Sequence, residues 1–463
     1  MDINLFLMSG SNIFKRILVA NRGEVASRII SACKKLGIQT VAVFSEADRH
    51  SPHLKNADHA VCIGPGQSGL SYLNIENILQ AAINHDCQAV HPGFGFLAEN
   101  HIFAAMCEQN KLTFIGPSSR SIRLMGNKSM AKRMVKETGI EVIPGTDGNI
   151  ASLDDAIATA AEIGFPVLLK ATSGGGGKGI RICKNENELT NSYFEAKSEA
   201  EKAFGDDSLY LEKMILNGRH IEFQVLADSY GNVIHLGERD CSIQRKNQKL
   251  IEESPSPAMG REIINITGKQ ITEALRKLEY VNAGTVEFLL DEDRNLFFME
   301  MNTRLQVEHP VSEMITGFDI VAEQINIAAN HYLSTRQEKV RFSGHAIECR
   351  INAEDPENDF LPSPGKILKF SPSLNAGPGK IRIDTHVTGG YEIPTFYDSM
   401  ICKVIARGQN RTEAIKTMVR SLKEFEIEGI KTTIPLHLKI LDHPEFLKGN
   451  YHTGTLNNII ASN

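Results

Sequence analysis

The sequence predicts an α/β fold that passes into an α+β fold, and three patterns along the chain support this. Up to about residue 115, short apolar runs alternate with amphipathic helical patterns, which is the rhythm of a doubly wound parallel sheet. Between 220 and 302, paired apolar runs joined by polar turns indicate antiparallel hairpins. From about Gly344 the chain is again rich in strand patterns and predicts a mixed, β-rich region. A chain of 463 residues should form roughly three domains.

The first predicted strand, at 17–20, ends in Asn21-Arg22-Gly23-Glu24. This turn lacks the Gly-x-Gly-x-x-Gly spacing of a dinucleotide site, so such a site is not expected here. A ligand at the carboxyl ends of the strands remains possible on topology alone. The other strands of this region are predicted at 40–44, 60–63, 89–90 and 113–115, and helices are predicted up to Gly37, at 75–83 and at 102–107.

A break at 143–148, Ile-Pro-Gly-Thr-Asp-Gly, separates this region from a small module that the pattern predicts to be β-rich. Ser152 is a candidate helix cap, with two aspartates in the first turn that follows it. The module has predicted strands at 165–171 and 209–214 and a polar helix at 186–204. Beyond the module, strands are predicted at 220–227, 233–238, 285–290, 296–302, 367–370, 380–383 and 400–406, and a late helix at 412–424.

The composition argues against two classes of function. A net charge of −6 and a pI near 6.2 disfavour a nucleic-acid partner, because neutralising phosphates requires a basic surface. No apolar run approaches the roughly 18 residues that would span a bilayer, and the apolar patch at 3–8 is too short for a signal peptide. That patch is expected to be a frayed tail.

The eight cysteines never fall in Cys-x-x-Cys pairs, and most lie in apolar runs, as Cys62 does. Buried thiols in a reducing cytoplasm are therefore expected, rather than disulfides or a zinc site.

Residues 173–179, Ser-Gly-Gly-Gly-Gly-Lys-Gly, form a glycine-rich loop between two short strand patterns, with Lys170 just upstream. Four consecutive glycines remove every Cβ, so successive backbone N–H groups can close on phosphate oxygens. The loop is not a Walker A motif, because the required spacing and the following helix are missing. It indicates either a phosphate contact or a plain flexible turn, and the immediately flanking strands favour the phosphate contact.

The second predicted hairpin places two glutamates opposite each other. Side chains alternate along a strand, so a turn at 293–294 puts Glu287 across from Glu300, with their Cβ atoms ~5 Å apart. Like charges repel, so a cation is expected between them. With Asn302 they supply oxygen ligands that suit Mg²⁺ or Mn²⁺ rather than zinc. The alternative is a solvated face of an edge hairpin that Arg304 neutralises.

The same alternation is predicted to continue beyond this hairpin, through Gln306 and Glu308, up to His309-Pro310. It would put five polar side chains in register, which is more than solubility requires. This weakens the interpretation as a solvated face.

These features together resemble the ATP-grasp ligases and, within them, the biotin carboxylase family. The strongest motifs are Asn302-Thr-Arg-Leu-Gln-Val-Glu-His-Pro310 and His91-Pro-Gly-Phe-Gly-Phe-Leu-Ala-Glu-Asn100. Other matching stretches are 20–24, 125–128, 238–245, 348–355, 361–365 and 397–400. The resemblance runs from about Lys15 to near the C-terminus.

The resemblance implies three domains. Residues 12–125 would form the N-terminal, Rossmann-like pre-ATP-grasp domain. Residues 126–335 would form the ATP-grasp domain, with a mobile lid at 142–214. Residues 344–456 would form the C-terminal biotin carboxylase domain.

The resemblance also implies an ATP site. Lys128 and Lys170 would hold phosphates as compact cations. The remaining ATP contacts would come from Gly175, Gly176 and Gly177 in the lid loop, Glu212, Lys213 and Ile215 around adenine, His220 and Gln244 near the ribose or phosphates, and also Asn247, Leu289, Glu287 and Glu300. The implied metal ligands are Glu287, Glu300 and Asn302. They would bind two ions, either Mg²⁺ or Mn²⁺.

Bicarbonate and biotin would bind next to the nucleotide. By resemblance, the bicarbonate-binding residues are Lys249, Arg304, Gln306 and Val307. Glu308 would be the general base, and Arg350, which stays protonated, would bind biotin and stabilise its enolate.

The implied reaction has two steps. Bicarbonate attacks the γ-phosphate of ATP to give carboxyphosphate and ADP. Carboxyphosphate then releases CO₂, and the freed phosphate takes the proton of biotin N1 before biotin captures the CO₂. Metal ions and the two lysines would offset the charge on the transferred phosphoryl group.

One position departs from the family. Asn247 stands where the family usually has histidine. Asparagine still donates and accepts hydrogen bonds, so a neutral nucleotide contact could survive but a charged one could not.

The chain shows no Ala-Met-Lys-Met segment to carry biotin. It is therefore expected to act in trans on a biotin carboxyl carrier protein, beside carboxyltransferase subunits, as a cytoplasmic homodimer in acetyl-CoA carboxylase. Two alternatives remain: another ATP-grasp ligase with a different acceptor, and a non-catalytic nucleotide-binding module. The first would share the lid and hairpin but not the Arg304 and Arg350 motifs. The second is disfavoured because the basic and acidic site residues are intact.

Overall fold

The computed structural model of the chain describes residues 13–172, 179–374 and 377–461, apart from the side chains of Ser129 and Phe204. Two predictions lie outside this part: the frayed tail at 3–8, and the lid loop with Gly175, Gly176 and Gly177. The strands on either side of that loop are described and pair with each other, so the loop connects the two strands of a hairpin.

The N-terminal region is a parallel sheet with helices between its strands. It contains β1 (Arg16–Val19), α1 (Gly23–Lys35), β2 (Gln39–Phe44), β3 (His59–Cys62), α2 (Ile75–Asn84), β4 (Ala89–His91), α3 (His101–Gln109) and β5 (Thr113–Phe114), with 3₁₀ turns at Glu46–Asp48, Pro52–Asn56 and Ser68–Leu70. The strands run in parallel in the order β3-β2-β1-β4-β5, which confirms the predicted doubly wound sheet. Ile17, Leu18 and Val19 are fully buried, as expected for a central strand covered on both faces.

Two helices, α4 (Ser119–Gly126) and α5 (Lys128–Lys136), lead from this sheet to a small module. The module contains α6 (Leu153–Ile163), β6 (Val167–Ala171), β7 (Ile180–Cys183), α7 (Glu186–Phe204) and β8 (Leu209–Lys213). Ser152 caps α6 as predicted, since its hydroxyl accepts a hydrogen bond from Asp155 N–H at 3.1 Å. The prediction of a β-rich module is only half right, because the two helices pack on the three-stranded antiparallel sheet β7-β6-β8.

A single antiparallel sheet of eight strands forms the centre of the molecule. Its members are β9 (Arg219–Ala227), β10 (Val233–Arg245), β11 (Gln248–Ser254), β12 (Asn282–Leu290), β13 (Leu296–Asn302), β14 (His345–Asn352), β19 (Lys380–Thr385) and β21 (Met400–Gly408). The strand order is β13-β12-β9-β10-β11-β14-β21-β19. Strands from the region beyond Gly344 therefore extend the central sheet through pairing of β11 with β14, which local sequence patterns did not predict.

Seven helices accompany this sheet, and the last four of them come near the C-terminus of the described chain. They are α8 (Arg261–Lys277), α9 (His309–Thr316), α10 (Ile320–Ala328), α11 (Arg411–Lys423), α12 (Ile434–Asp442), α13 (Pro444–Lys448) and α14 (Thr455–Ala461), with a 3₁₀ turn at Gln337–Lys339. The short strands β15 (Glu354–Asp355), β16 (Leu361–Pro362), β17 (Gly365–Lys366), β18 (Lys369–Ser371), β20 (Glu392–Ile393) and β22 (Glu426–Glu428) form two-stranded pairs. The single strand predicted at 367–370 is wrong: β17 and β18 flank the buried Ile367 and pair with different partners.

All eight cysteines are free thiols, and seven of them are buried as predicted. Cys62 is exposed, because its strand β3 lies at the edge of the parallel sheet rather than inside it. Within the described ranges, no helix combines the length and apolar character that crossing a membrane would demand.

Candidate active site

The acidic hairpin of β12 and β13 forms in the predicted register. Glu287 lies opposite Glu300, and a β-bulge follows this pair. The predicted continuation of the strand to Glu308 is wrong, because β13 ends at Asn302 and residues 303–308 turn into α9. The N–H of Thr303 donates to a Glu99 carboxylate oxygen of the N-terminal region at 3.0 Å instead of pairing with a strand.

Each hairpin glutamate has its own protein cation. Buried Glu287 accepts from Lys249 Nζ at 3.0 Å and lies 3.1 Å from His220 Nε2. Half-exposed Glu300 lies 3.1 Å from Lys128 Nζ. Burial opposes ionisation of Glu287, but the Lys249 and His220 charges outweigh it and hold the pKa of Glu287 below its usual range. Repulsion between the two carboxylates is therefore already reduced by flanking cations.

The donor atoms around this hairpin suit a hard divalent cation. Glu287 and Glu300 present carboxylate oxygens from directly paired positions, which fits Mg²⁺. The Asn302 amide oxygen accepts from Arg304 Nη2 at 2.9 Å, so Asn302 would become a ligand only after leaving Arg304. The described chain also contains tighter groups of ligating side chains, such as His220, Glu222 and Glu287. The Lys249 ammonium already contacts both glutamates of this group, which favours charge pairing over a metal there.

A cluster of three lysines faces the hairpin. Lys128 is the first residue of α5, Lys132 follows one turn later, and Lys170 lies on β6 of the lid. Lys132 and Lys170 both contact the Glu212 carboxylate. Burial, followed by repulsion from neighbouring lysines, lowers the pKa of Lys132 to about 7 and that of Lys170 to about 8. A polyanion such as a polyphosphate would therefore favour the protonated, charged forms of both lysines.

The small module contributes one face of its sheet β7-β6-β8 to this cluster. Glu212 is buried and bridges the two lysines, whereas the Lys213 ammonium bonds the carbonyl oxygens of Gly164 and Phe165 at 2.8 and 3.1 Å. The backbone N–H of Lys213 donates to the Pro144 carbonyl oxygen at 2.7 Å, so both donor groups of this residue already have protein partners. Ile180 is 41% exposed and pairs with Lys170 across β7 and β6, so it shares the face that carries the lysine.

The remaining residues that were predicted to contact the nucleotide lie around the neighbouring end of the central sheet. Leu289 pairs with buried His220 across β12 and β9, and Ile215 follows the end of β8. Gln244 pairs with Lys249 on β11. Asn247 is exposed at the tip of the β10–β11 hairpin with φ of 65°, a left-handed conformation that asparagine tolerates better than most residues.

A buried charge cluster occupies the centre of the sheet. Lys249 Nζ donates to carboxylate oxygens of Glu222 at 2.6 Å and Glu308 at 2.6 Å, in addition to Glu287. Arg350 donates to Glu308 at 2.7 Å and to Glu252 at 2.6 Å. Burial opposes ionisation of Glu308, yet Lys249 and Arg350 hold its pKa well below the usual range. Glu308 is therefore a carboxylate here, and a proton would transfer to it readily only if a ligand loosened these two contacts.

Arg304 connects the loop at 303–308 to the N-terminal region and to the end of β13. Its guanidinium donates to Glu99 at 2.7 Å, to Gln306 at 2.8 Å and to Asn302 at 2.9 Å. Gln306 in turn donates to Glu287 at 3.0 Å. The loop thus brings the predicted Arg304, Gln306 and Glu308 to one place even though they do not share a strand.

Sequence reasoning missed several charged residues of this site, among them Lys132, Glu99, Glu222 and Glu252. Two signals could have found some of them. Lys132 lies four residues after Lys128 on a helix, so the two share a face. His220, Glu222 and Gln224 alternate with apolar residues along β9, which is the same period-two polar pattern as in the hairpin.

The fold and the site together define an ATP-dependent ligase with a basic lysine cluster beside an acidic hairpin. Three family models match: "Biotin carboxylase, N-terminal domain" over 13–122, "Carbamoyl-phosphate synthase L chain, ATP binding domain" over 127–336, and "Biotin carboxylase C-terminal domain" over 348–458. The chain belongs to the biotin carboxylase family.

Similar proteins agree with this assignment. Biotin carboxylase 1 of Bacillus subtilis is 53% identical over 95% of this chain and 98% of its own length. The small subunit of 2-oxoglutarate carboxylase from Hydrogenobacter thermophilus is 51% identical over 95% of this chain and 93% of its own. One of the pyruvate carboxylase subunits of Methanothermobacter thermautotrophicus is 48% identical over 95% of this chain and 89% of its own.

Solved structures superpose closely as well. The biotin carboxylase domain dimer of Hydrogenobacter thermophilus 2-oxoglutarate carboxylase, a complex with MgADP, ADP and bicarbonate, has a TM-score of 0.92 at 50% identity, covering 97% of this chain and 99% of that one. A biotin carboxylase complex with an ATP ligand from Campylobacter jejuni has a TM-score of 0.92 at 46% identity, covering 96% and 99%.

Proposed function

We propose that this enzyme carboxylates biotin with ATP and bicarbonate through carboxyphosphate. The observation that carries the proposal is the buried Lys249–Glu308–Arg350 cluster, which adjoins the basic cleft of Lys128 and Lys170 through Glu287. An anion held by Lys249 would lie beside the Glu308 carboxylate, which is a group that can take its proton. The two solved relatives that hold MgADP with bicarbonate and an ATP ligand support the same pair of substrates.

Nucleotide binding would use the lysine cluster and the hinge of the lid. Lys128, Lys132 and Lys170 would contact phosphate oxygens, which replace Glu212 and Glu300 as their main anions. The backbone around Lys213 and the side chains of Ile180, Ile215 and Leu289 would enclose the base. Any contact between Asn247 and the nucleotide would be made by a neutral side chain.

The lid loop is part of the same proposal. Gly175, Gly176 and Gly177, which lie outside the described residues, would close over the phosphates by backbone N–H groups, since they come a few residues after Lys170 in the sequence.

The first step would transfer the γ-phosphoryl group to bicarbonate. Glu308 takes the bicarbonate proton, a bicarbonate oxygen attacks phosphorus, and the bond to ADP breaks to give carboxyphosphate. Lys249, Arg304, Gln306 and the Val307 backbone orient the bicarbonate. Mg²⁺ held by Glu287 and Glu300, with Asn302 as a further ligand, or Mn²⁺ in its place, would neutralise phosphate charge.

The second step would carboxylate biotin. Carboxyphosphate breaks its C–O bond to give CO₂ and phosphate, and the phosphate accepts the proton of biotin N1. The resulting nitrogen then bonds CO₂. Arg350 would balance the negative charge on the ureido oxygen, because a guanidinium remains charged in a buried site.

The test is ATP hydrolysis measured with and without bicarbonate and free biotin. We expect hydrolysis to require bicarbonate and to rise with biotin, and the variant Arg304→Ala to lose about 10²- to 10³-fold in turnover. Arg341→Ala, on an exposed arginine, is the matched control and should retain wild-type turnover. If bicarbonate and biotin leave the rate of ATP hydrolysis unchanged while another acceptor, such as an amine, raises it, the enzyme catalyses a different ATP-grasp reaction.

The biotin acceptor is proposed to be a separate biotin carboxyl carrier protein, within an acetyl-CoA carboxylase that also contains carboxyltransferase subunits. Relatives named as biotin carboxylases support this role, while relatives named for pyruvate and 2-oxoglutarate carboxylases define the competing acceptors. Purification of the native complex, followed by assay with acetyl-CoA, pyruvate and 2-oxoglutarate, separates them. Labelled carbon appearing in pyruvate or 2-oxoglutarate alone would refute the acetyl-CoA role.

A homodimer in the cytoplasm is proposed as the assembly. A cavity of about 520 Å³ between α1, α9 and β19 is lined by charged groups, including Arg28, Glu313 and Arg382. Arg28 donates to Glu313 at 2.9 Å, and Arg382 donates to Glu313 at 2.6 Å. The free thiols suit a reducing compartment. Light scattering should give twice the chain mass, and a monomer would refute the assembly.

A further inference from the structure

Lys403 is a fully buried lysine beside the active-site loop. It lies on β21, opposite Arg350 on β14 and Asp384 on β19. Its side chain has 0% exposure. Burying an ammonium costs several kcal/mol unless partners replace its water, so an apolar side chain would serve this core position better if packing were the only requirement.

The partners of Lys403 come from three separate regions of the chain. Its ammonium lies 3.0 Å from the Glu24 carboxylate on α1 and 4.0 Å from Asp384. It also donates a hydrogen bond to the Val307 carbonyl oxygen at 2.9 Å. Among the described residues, neither Glu24 oxygen has a hydrogen-bond partner. Burial raises the pKa of Glu24, and the charge of Lys403 is the largest effect that opposes this rise.

The Val307 carbonyl oxygen is where Lys403 contacts the backbone of the active-site loop. The segment 303–308 has left the sheet, since β13 ends at Asn302, so no strand ladder holds its backbone. Val307 directly precedes Glu308, which Lys249 and Arg350 hold by its side chain. The hydrogen bond from Lys403 to the Val307 carbonyl oxygen holds the backbone of the same turn.

We propose that Lys403 is a positioning residue for carboxyphosphate formation, which sets the Val307–Glu308 turn through the Val307 carbonyl while Glu24 balances its charge. This inference rests on the proposed bicarbonate role of Glu308. Loss of the bond would let the turn shift, and a displacement on the order of 1 Å at a reacting group can lower a rate about 10²-fold. The lysine cluster that would bind ATP lies elsewhere, at α5 and β6, so ATP binding should be insensitive.

The test compares Lys403→Met with the double variant Glu24→Gln/Lys403→Met in bicarbonate-dependent ATP hydrolysis. The single variant leaves the Glu24 carboxylate without its cation, so its melting temperature should fall. The double variant removes both charges and should recover most of that stability. In both variants kcat/KM for bicarbonate should fall about 10- to 100-fold, with KM for ATP within about threefold of wild type.

The matched control is Arg22→Met, which breaks the buried ion pair with Asp48, at 2.7 Å, in the N-terminal region. It should lower the melting temperature without changing kcat/KM for bicarbonate. Recovery of bicarbonate kinetics together with stability in the double variant would overturn the inference, because Lys403 would then be purely structural. So would equal losses for ATP and bicarbonate. A wild-type enzyme that ignores bicarbonate would instead refute the proposed function.

Discussion

Proton uptake on nucleotide binding is the most direct consequence of the lysine cluster. The perturbation is Lys132→Met, which removes an ammonium that sequence reasoning had not assigned to the site. In the free protein, burial and the neighbouring Lys170 and Lys128 ammoniums lower the pKa of Lys132 to about 7. Phosphate groups placed beside Lys132 favour its charged form, so they raise its pKa and draw in a proton. Nucleotide binding should therefore take up protons increasingly as the pH rises above 7.

The size of the effect follows from the two lowered values. With a pKa of about 7, Lys132 is about 10% protonated at pH 8 and about 90% protonated at pH 6. Lys170, with a pKa of about 8, is about half protonated at pH 8. Full protonation in the complex then requires about 1.4 protons at pH 8 and about 0.1 at pH 6. The Lys132→Met variant should take up only about 0.5 at pH 8.

Titration calorimetry with a non-hydrolysable ATP analogue and Mg²⁺, in buffers of different ionisation enthalpy, measures this uptake directly. Lys136→Met is the matched control, because Lys136 is exposed on the same helix and should leave the uptake at the wild-type value. An uptake that does not change between pH 6 and 8, or one that Lys132→Met leaves intact, would refute the reasoning. The affinity of the wild type for the nucleotide should also fall as the pH rises, and it should fall less steeply in the Lys132→Met variant.

Three further outcomes are expected. Arg350→Met should retain bicarbonate-dependent ATP hydrolysis to within about tenfold but lose its stimulation by biotin, and equal loss of both would contradict the role of Arg350 in the second step. Ser152→Ala should destabilise the lid helix α6 by about 1 kcal/mol, seen as faster amide exchange there, and unchanged exchange would contradict the cap. In native protein, one thiol should react rapidly with a disulfide reagent, and Cys62→Ser should abolish that phase; a rapid phase that persists would contradict the exposure of Cys62.

Much of the fold follows from local patterns. The parallel sheet was predictable because each of its buried strands is a short apolar run and each helix has its own periodicity, as at 17–20 and 75–83. The hairpin register was predictable because side chains alternate with period two, which put Glu287 opposite Glu300. The exposure of Cys62 was not predictable from its apolar neighbours, because burial depends on where a strand lies in its sheet.

The site was predictable to the extent that its residues share one local segment or match a family motif. Glu287, Glu300 and Asn302 come from one hairpin. The turn after Asn302 was not predictable, because the alternation of polar residues up to Glu308 looks the same in a strand and in this loop. What ends the strand is a contact with Glu99, about 200 residues away along the chain.

The sequence by itself therefore determined the doubly wound sheet, the acidic hairpin, the glycine-rich loop and the family motifs, since each is encoded within a few neighbouring residues. Only the tertiary structure decided the charge states and the cation partners of the site. Lys249 reaches Glu222, Glu287 and Glu308 because the strands of one eight-stranded sheet and the loop beside it bring distant segments together. Burial and these long-range charges set the pKa values on which the proposed chemistry depends, and neither is a property of local sequence.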